Sequence, residues 1–492
     1  FSEFKHAADT GLLVYSHSEE IYGLIYDPIL KSDLPYVLCC EQEDTLSLNW
    51  TQHHFVSNAI ARFCFTAESK KFLQSKMVFD FDLVDSRSLG ITLKKCAHRF
   101  KLPYESKPIG KGEHKCLLVS YYASPAETVA VHRISYWQEN LANIAKGFGE
   151  EISVEVMTAC NSYKSRDAVI HIPDKADIDC YDKSTLKLVT KMRATKVNYF
   201  AAYWAAHIRA WVMENPKITF DSVVLSGNPF YYFELADFFK KMWNAKIILD
   251  FRDPFANNPR FKYTKAHKKL VCELEDSYLK NADYALSVNQ YCLESLRLPN
   301  NFMGHVVANG YNEKLLDSVK KRPLRIKDKK ISFVYTGSFY ADRDAEPFLK
   351  SLDEKIYKLI HIGRAAPADE YLNHYAALER YGLMSYGDVI SYCKSMTAGV
   401  IFTSGKLFEQ TTKIFDYIAA DIDIIIITNG RIKTGELHRL TKDLEGIYWV
   451  KNNSKSIAEF LSKYKPIKIT RNNREKFSRF EQTKKLYKIL TD

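Results

Sequence analysis

Short apolar runs rich in β-branched residues recur along most of this chain, each followed by a stretch whose apolar positions have helical spacing. The first clear run is CLLVSYY, from residue 116, followed past Ser124 and Pro125 by a helix-like stretch through Val131, Ile134, Tyr136, Trp137 and Leu141. ISVEVMTA (152–159), SVVLSG (222–227), AKIILDF (245–251) and YALSVN (284–289) continue the series, and VVANGYN (306–312) closes it. A second series runs through ISFVYTG (331–337), KLIHIG (358–363), GVIFT (399–403), IDIIIIT (422–428) and GIYWV (446–450). Continuously apolar strands alternating with helices predict parallel sheets covered on both faces. The fold class is therefore α/β, with two Rossmann-like parallel-sheet domains at 111–325 and 326–470. The basic stretch KKRPLRIKDKK (320–330) reads as a solvated linker, with the boundary near residue 325. Over 463–488, Lys and Arg alternate with Phe477, Phe480, Leu486 and Tyr487 at helical spacing, which predicts an amphipathic C-terminal helix, placed at 471–492.

The first 110 residues have a different texture. LLVYS, PYVLCC and MVFDFDLV read as short strands, followed by a helical run, ITLKKCAHRFKL, and the loop PYESKPIGKGEH. The chain opens on Phe1 with no Met, basic n-region or cleavable apolar segment, so 1–110 is expected to be a partial α/β domain, the end of one that begins upstream.

Composition narrows the class. A chain of 492 residues is too long for one core, and about 150 residues per domain suggests three. Hydrophobic residues at 46% and charged residues at 26% exclude a disordered chain. The most apolar run, 422–427, is broken by Asp423 and has strand length, so no transmembrane helix is expected. Ten cysteines without CxxC spacing predict reduced thiols in a cytoplasmic protein. A net charge of +11 predicts anionic partners: nucleotide phosphates, or lipid headgroups met peripherally at the inner face of a membrane. The basic residues are not interleaved with a nucleic-acid recognition module, so nucleic acid is not expected.

Ligand crevices of parallel α/β sheets lie beyond the C-terminal strand ends, which directs attention to the residues there. Gly337 and Ser338 end the strand 331–337, and Arg343 follows in the next loop, a combination suited to cradling a diphosphate. A turn requirement explains such a Gly equally well. Lys413 stands in the first turn of a helix starting near Thr411 or Thr412, where a cation is locally unfavourable and an anionic partner would repay it. The other reading is an i,i+3 salt bridge from Lys413 to Asp416. In the first unit, Arg252 and Asp253 follow the strand 245–251, and Ser226 and Asn228 stand at the end of 222–227. A charged turn with Asp capping a backbone amide is the alternative there.

At these residues a resemblance emerges. SYYASPAETVAVHRISYW, VVLSGNPF, DFRDPF, LEDSYLKNADYALSVN, VANGYNE, YTGSFYADRD and TKIFDYIAADIDIII, in this order and spacing over about 114–490, resemble the bacterial retaining glycosyltransferases of family 4. The resemblance implies a GT-B fold, two Rossmann-like domains facing a cleft, with a nucleotide-sugar donor held mainly by the second domain and no metal or other cofactor. It implies transfer to a cell-surface polysaccharide or glycolipid precursor. By the same carry-over Arg343 and Lys413 neutralise the donor diphosphate, Asp416 holds the ribose, and Glu409 and Thr412 line the donor site. Arg252 and Asp253 stand beside the reacting carbon or acceptor, with Ser226, Asn228 and Ser124 on the acceptor side. Two departures stand out: the loop 123–128 lacks the family's Gly, and Glu409 and Asp416 are one residue closer than the family's paired Glu residues, with the second side chain shorter. A nucleotide-sugar 2-epimerase or phosphorylase-like enzyme on the same scaffold, or a non-catalytic glycan- or nucleotide-binding module, are the alternatives. Residues 1–110 faintly resemble the end of a sulfotransferase, with Glu41 and Gln42 where an Arg is expected.

Overall fold

The structure, a computed structural model, describes residues 12–16, 36–40, 61–64, 82–83, 113–123, 129–159, 168–172, 199–321, 330–364 and 367–492. Near the start, β1 (Leu12–Ser16), β2 (Tyr36–Cys40), β3 (Ala61–Cys64) and β4 (Asp82–Leu83) pair in chain order, all parallel. The first two fall where LLVYS and PYVLCC were expected, and β4 falls within MVFDFDLV, whereas β3 has no counterpart in the sequence reading. The helical run and loop read before residue 110, and the residues behind the sulfotransferase likeness at 41–49, lie outside the described residues.

A seven-stranded sheet follows, built from β5 (His114–Val119), β6 (Ile152–Thr158), β7 (Val169–His171), β8 (Ser222–Gly227), β9 (Lys246–Phe251), β10 (Tyr284–Ser287) and β11 (Met303–Val306), in the order β11-β10-β9-β8-β5-β6-β7. Counted from its own first strand, this sheet runs 3-2-1-4-5-6-7. A six-stranded parallel sheet contains β12 (Ile331–Thr336), β13 (Tyr357–Ile362), β14 (Leu378–Tyr381), β15 (Ala398–Thr403), β16 (Asp423–Thr428) and β17 (Ile447–Lys451), in the order β14-β13-β12-β15-β16-β17. That is 3-2-1-4-5-6, the winding of dinucleotide-binding sheets, in which the order reverses between the first and fourth strands. Alternate residues supply its two faces. Val334, Ile360, Ile401, Ile424 and Ile426 join one core with the helices Tyr386–Cys393 and Lys413–Ala419. Phe333, Leu359, Val400, Phe402 and Ile425 join the other with the helices Glu346–Lys350 and Ser454–Lys463.

The chain divides into two compact units, one of Phe1–Ser287, Ser295–His305 and Leu490–Asp492, the other of Val288–Glu294 and Val306–Ile489. The passage at Val306 that begins the main part of the second unit thus falls ahead of the basic stretch 320–330. Backbone bonds explain this: Tyr311 N–H donates to Phe477 O at 3.2 Å and Arg479 N–H to Tyr311 O at 2.9 Å, binding 306–312 to the second unit. The segment 288–294 belongs there too, because Val288 and Cys292 pack on Phe408 and Tyr291 N–H donates to Glu436 at 3.0 Å.

The helix expected at 471–492 is present but starts later, after a 3-10 turn at Arg474–Phe477. After Lys463 the chain is extended through Pro466, whose ring disfavours helical backbone in the preceding residue, and the last helix is Arg479–Thr491, with Leu486, Tyr487 and Leu490 buried. Among the described residues no helix is long and apolar enough to cross a membrane. Among the described residues, Cys116, Cys272 and Cys393 are free thiols.

Candidate functional site

In the second unit the order reverses between β12 and β15, and the loops after these two strands carry most of the predicted donor residues. Gly337 leaves β12 with φ +96°, in the region where glycine is favoured, so a turn requirement is met. A Cβ at Gly337 would press on the Lys413 side chain, 3.1 Å from Cε, and at Gly363 space itself requires glycine, since a Cβ there would stand 2.5 Å from Gly337 O. His361, fully buried on β13, lies with Nε2 2.7 Å from the Gly337 carbonyl oxygen, so this nitrogen carries the proton and donates. Burial holds its pKa below the ordinary value. Ser338 contributes its carbonyl oxygen, which accepts from Tyr335 Oη at 2.7 Å.

Lys413 opens the helix Lys413–Ala419, and packing beneath it fixes its place. The Tyr417 ring lies against Gly399, where a Cβ would stand 2.3 Å from Cδ2, and its hydroxyl donates to Val334 O at 3.3 Å. These contacts tie the helix to both β12 and β15, setting the Lys413 side chain beside Gly337 with Nζ 4.7 Å from the Tyr335 ring centroid. Among the described residues no carboxylate forms an ion pair with Lys413, so the i,i+3 bridge to Asp416 is not formed. Burial pushes its pKa down to about 8, with Arg343 adding to the effect and Asp416 opposing it. Thr412, just before the helix, makes no side-chain capping bond.

Arg343 and Glu409 meet directly. Arg343 Nη2 donates to Glu409 Oε1 at 3.1 Å, and the guanidinium carbon stands 5.2 Å from the Tyr340 ring centroid. Glu409, 6% exposed, also accepts from the Thr403 hydroxyl, from Ser404 N–H at 3.0 Å and from Ser404 Oγ at 2.7 Å. Burial raises its pKa, but these bonds and Arg343 together outweigh it and hold the carboxyl below its ordinary value. Asp416 turns to Tyr386, whose hydroxyl donates to Oδ1 at 2.5 Å. Burial pushes Asp416 up to about 6, against the Tyr386 bond and the positive charges of Arg479 and Lys413.

The first unit's candidates have other surroundings. Ser226 is buried and its hydroxyl donates to Asp250 Oδ2 at 2.7 Å, while Arg133 donates to both Asp250 oxygens at 3.0 and 2.9 Å. Asp253 Oδ1 lies 3.5 Å from Arg260 Nη1, with burial raising its pKa. Burial lowers the pKa of Arg252, opposed by Asp250 and reinforced by Arg133. Asn228 is exposed, and Ser124 lies outside the described residues.

The structure thus brings Gly337, Arg343, Glu409 and Lys413 together in one set of loops and directs Asp416 to a neighbouring polar cluster. Tyr335, His361, Gly363, Thr403, Ser404 and Tyr386 complete these surroundings without having been singled out from sequence. Only their places at or near strand ends could have marked them.

No protein-family model matches the chain, and no curated protein matches it in sequence. Solved structures resemble it. Sucrose-phosphate synthase from Thermosynechococcus elongatus superposes with a TM-score of 0.56 at 13% identity, covering 77% of this chain and 99% of that one. HepE of Anabaena, solved in complex with UDP, gives a TM-score of 0.50 at 10% identity, with the same 77% and 99% covered. At such identities the likeness is one of fold, and the fold, two Rossmann-like parallel-sheet units, is that of the GT-B glycosyltransferases.

Proposed function

We propose that the chain is a retaining glycosyltransferase, moving a sugar from a nucleoside diphosphate sugar to a cell-surface polysaccharide or glycolipid acceptor on the cytoplasmic side. The observation that carries this is Lys413, a desolvated ammonium with no ion pair among the described residues, at the switch point of a 3-2-1-4-5-6 sheet. A partly buried cation is destabilising unless an anion meets it, and groups held in that condition mark functional sites. Arg343, on the neighbouring loop, supplies a second cation, so a diphosphate suits the pair better than a single phosphate. The UDP named with HepE supports a nucleoside diphosphate as the ligand class.

In this reading the bond from the anomeric carbon to the diphosphate oxygen breaks, and its electron pair stays on the departing diphosphate. Arg343 and Lys413 stabilise the charge that develops, without requiring a metal ion. The acceptor hydroxyl attacks from the same face, its oxygen bonding to the anomeric carbon while its proton passes to the diphosphate. Asp416, steadied by Tyr386, accepts from ribose hydroxyls. Arg252 and Asp253 serve the acceptor, and the basic surface suits peripheral contact with an anionic membrane. Titration calorimetry with UDP, GDP and ADP, followed by transfer assays with the sugar nucleotide of the base that binds, tests this. Lys413→Ala and Arg343→Ala should each weaken binding about tenfold or more, as expected for hydrogen bonds to charged groups. Full transfer by both variants would sink the proposal, and conversion of the sugar nucleotide without acceptor would point to an epimerase.

A further inference from the structure

Glu409 is the most heavily hydrogen-bonded carboxylate among these loops. Oε1 takes Arg343 Nη2 and Ser404 Oγ, and Oε2 takes the Thr403 hydroxyl and Ser404 N–H. A carboxylate has about four good acceptor directions, and four donors of the protein fill them. No acceptor capacity is left for a sugar hydroxyl. Arg343 has the opposite condition: Nη2 is engaged by Glu409, its Nε is buried without a hydrogen-bond partner, and its side chain is 20% exposed. Asp342, at 4.0 Å from Nε, is too distant to fill that donor by hydrogen bonding. The guanidinium is therefore held at one edge, with donor capacity remaining elsewhere.

We propose that Glu409 is a positioning residue: it does not touch the donor but holds Arg343, through a bracket anchored on Thr403 and Ser404, in the orientation that meets the diphosphate. Its carboxylate is itself fixed by the end of β15, so the bracket transmits the position of that strand to a residue on the loop after β12. The role rests on the reading of the site as a nucleoside diphosphate site, but its mechanical part is independent of any ligand.

Two measurements separate these. The first needs no ligand: modification of Arg343 by phenylglyoxal, followed by peptide mass spectrometry, in the wild-type chain and in Glu409→Gln. Loss of the bracket should speed modification of Arg343 severalfold with other arginines unchanged, and equal rates would overturn the proposal. Ser404→Ala removes one anchor and gives the same test, with a smaller increase, should Glu409→Gln fold poorly. The second is a double-mutant cycle on UDP affinity. Glu409→Gln should weaken binding about tenfold, in line with loss of a hydrogen bond to a charged group, yet should have no further effect once Arg343 is Ala. Independent, multiplying effects would mean that Glu409 contacts the ligand itself and would overturn the positioning role. Faster modification of Arg343 in a chain that binds no nucleoside diphosphate would keep the bracket and remove the proposed function instead.

Discussion

The charge on Lys413 has opposite consequences for folding and for binding. An unfolded lysine titrates near about 10.4, whereas burial brings Lys413 to about 8 in the fold. Between these values the unfolded chain binds the additional proton, so the stability of the ligand-free protein rises with pH through that window. In the proposed function diphosphate binding needs the ammonium, so it should weaken over the same window. Calorimetry from pH 7 to pH 9 should show UDP affinity falling in the wild type, and the fall should be much smaller in Lys413→Arg. Lys413→Met should raise the ligand-free melting temperature at neutral pH, corresponding to on the order of 1–3 kcal/mol of stability, while weakening UDP binding about tenfold or more. A lower melting temperature would show that the ammonium is satisfied where it stands. The sequence already pointed to Lys413 and Arg343, because cations in loops past apolar strands are conspicuous. It did not show the bracket around Glu409, since Thr403 and Ser404 are small polar residues whose meaning comes only from the fold.

At the level of elements, the helix Lys413–Ala419 depends on Gly399. Ala at 399 would place its Cβ within 2.3–2.6 Å of three Tyr417 ring atoms, and a ring wedged between β12 and β15 has little room to withdraw. Gly399→Ala should cost about 1–3 kcal/mol, the usual range for overpacking, read by chemical denaturation. It should also weaken UDP binding, although residue 399 lies on the strand and not in the loops. Unchanged affinity would mean that Lys413 is placed by its loop alone. Strand positions were largely legible: β5, β6, β8, β9 and β10 of the first large sheet, and β12, β13, β15, β16 and β17 of the second, lie within or beside the apolar runs. The strands missed are of another kind. All four residues of β14 are partly exposed at a sheet edge, and Leu-Glu-Arg-Tyr has no apolar run to announce it; β7 is three residues long, and β11 meets the run VVANGYN only at Val306.

At the level of the molecule, binding confined to the second unit should have a confined signature. UDP at 100 times its dissociation constant should stabilise the fold that binds it by about 2.7 kcal/mol. Hydrogen exchange should then slow at residues 336–343 and 404–416, with 226–253 unchanged when the nucleotide is added without acceptor. Slowing centred on 226–253 would move the donor site to the other unit. The plan of two α/β units could be read from the alternation of strands and helices. The crossing at Val306 could not, because it depends on Tyr311 meeting Phe477 and Arg479, residues more than 160 positions apart.

Both large sheets reverse order between their own first and fourth strands, yet the two reversal points are furnished differently. Beside one stands an ammonium with no ion pair among the described residues; near the other, Asp250 accepts three hydrogen bonds from Arg133 and Ser226. One winding rule, used twice, thus gives two reversal points whose chemistry is set by separate stretches of sequence. Substitutions that alter the charges at one reversal point need not disturb those at the other, because the two sets of side chains share no residue.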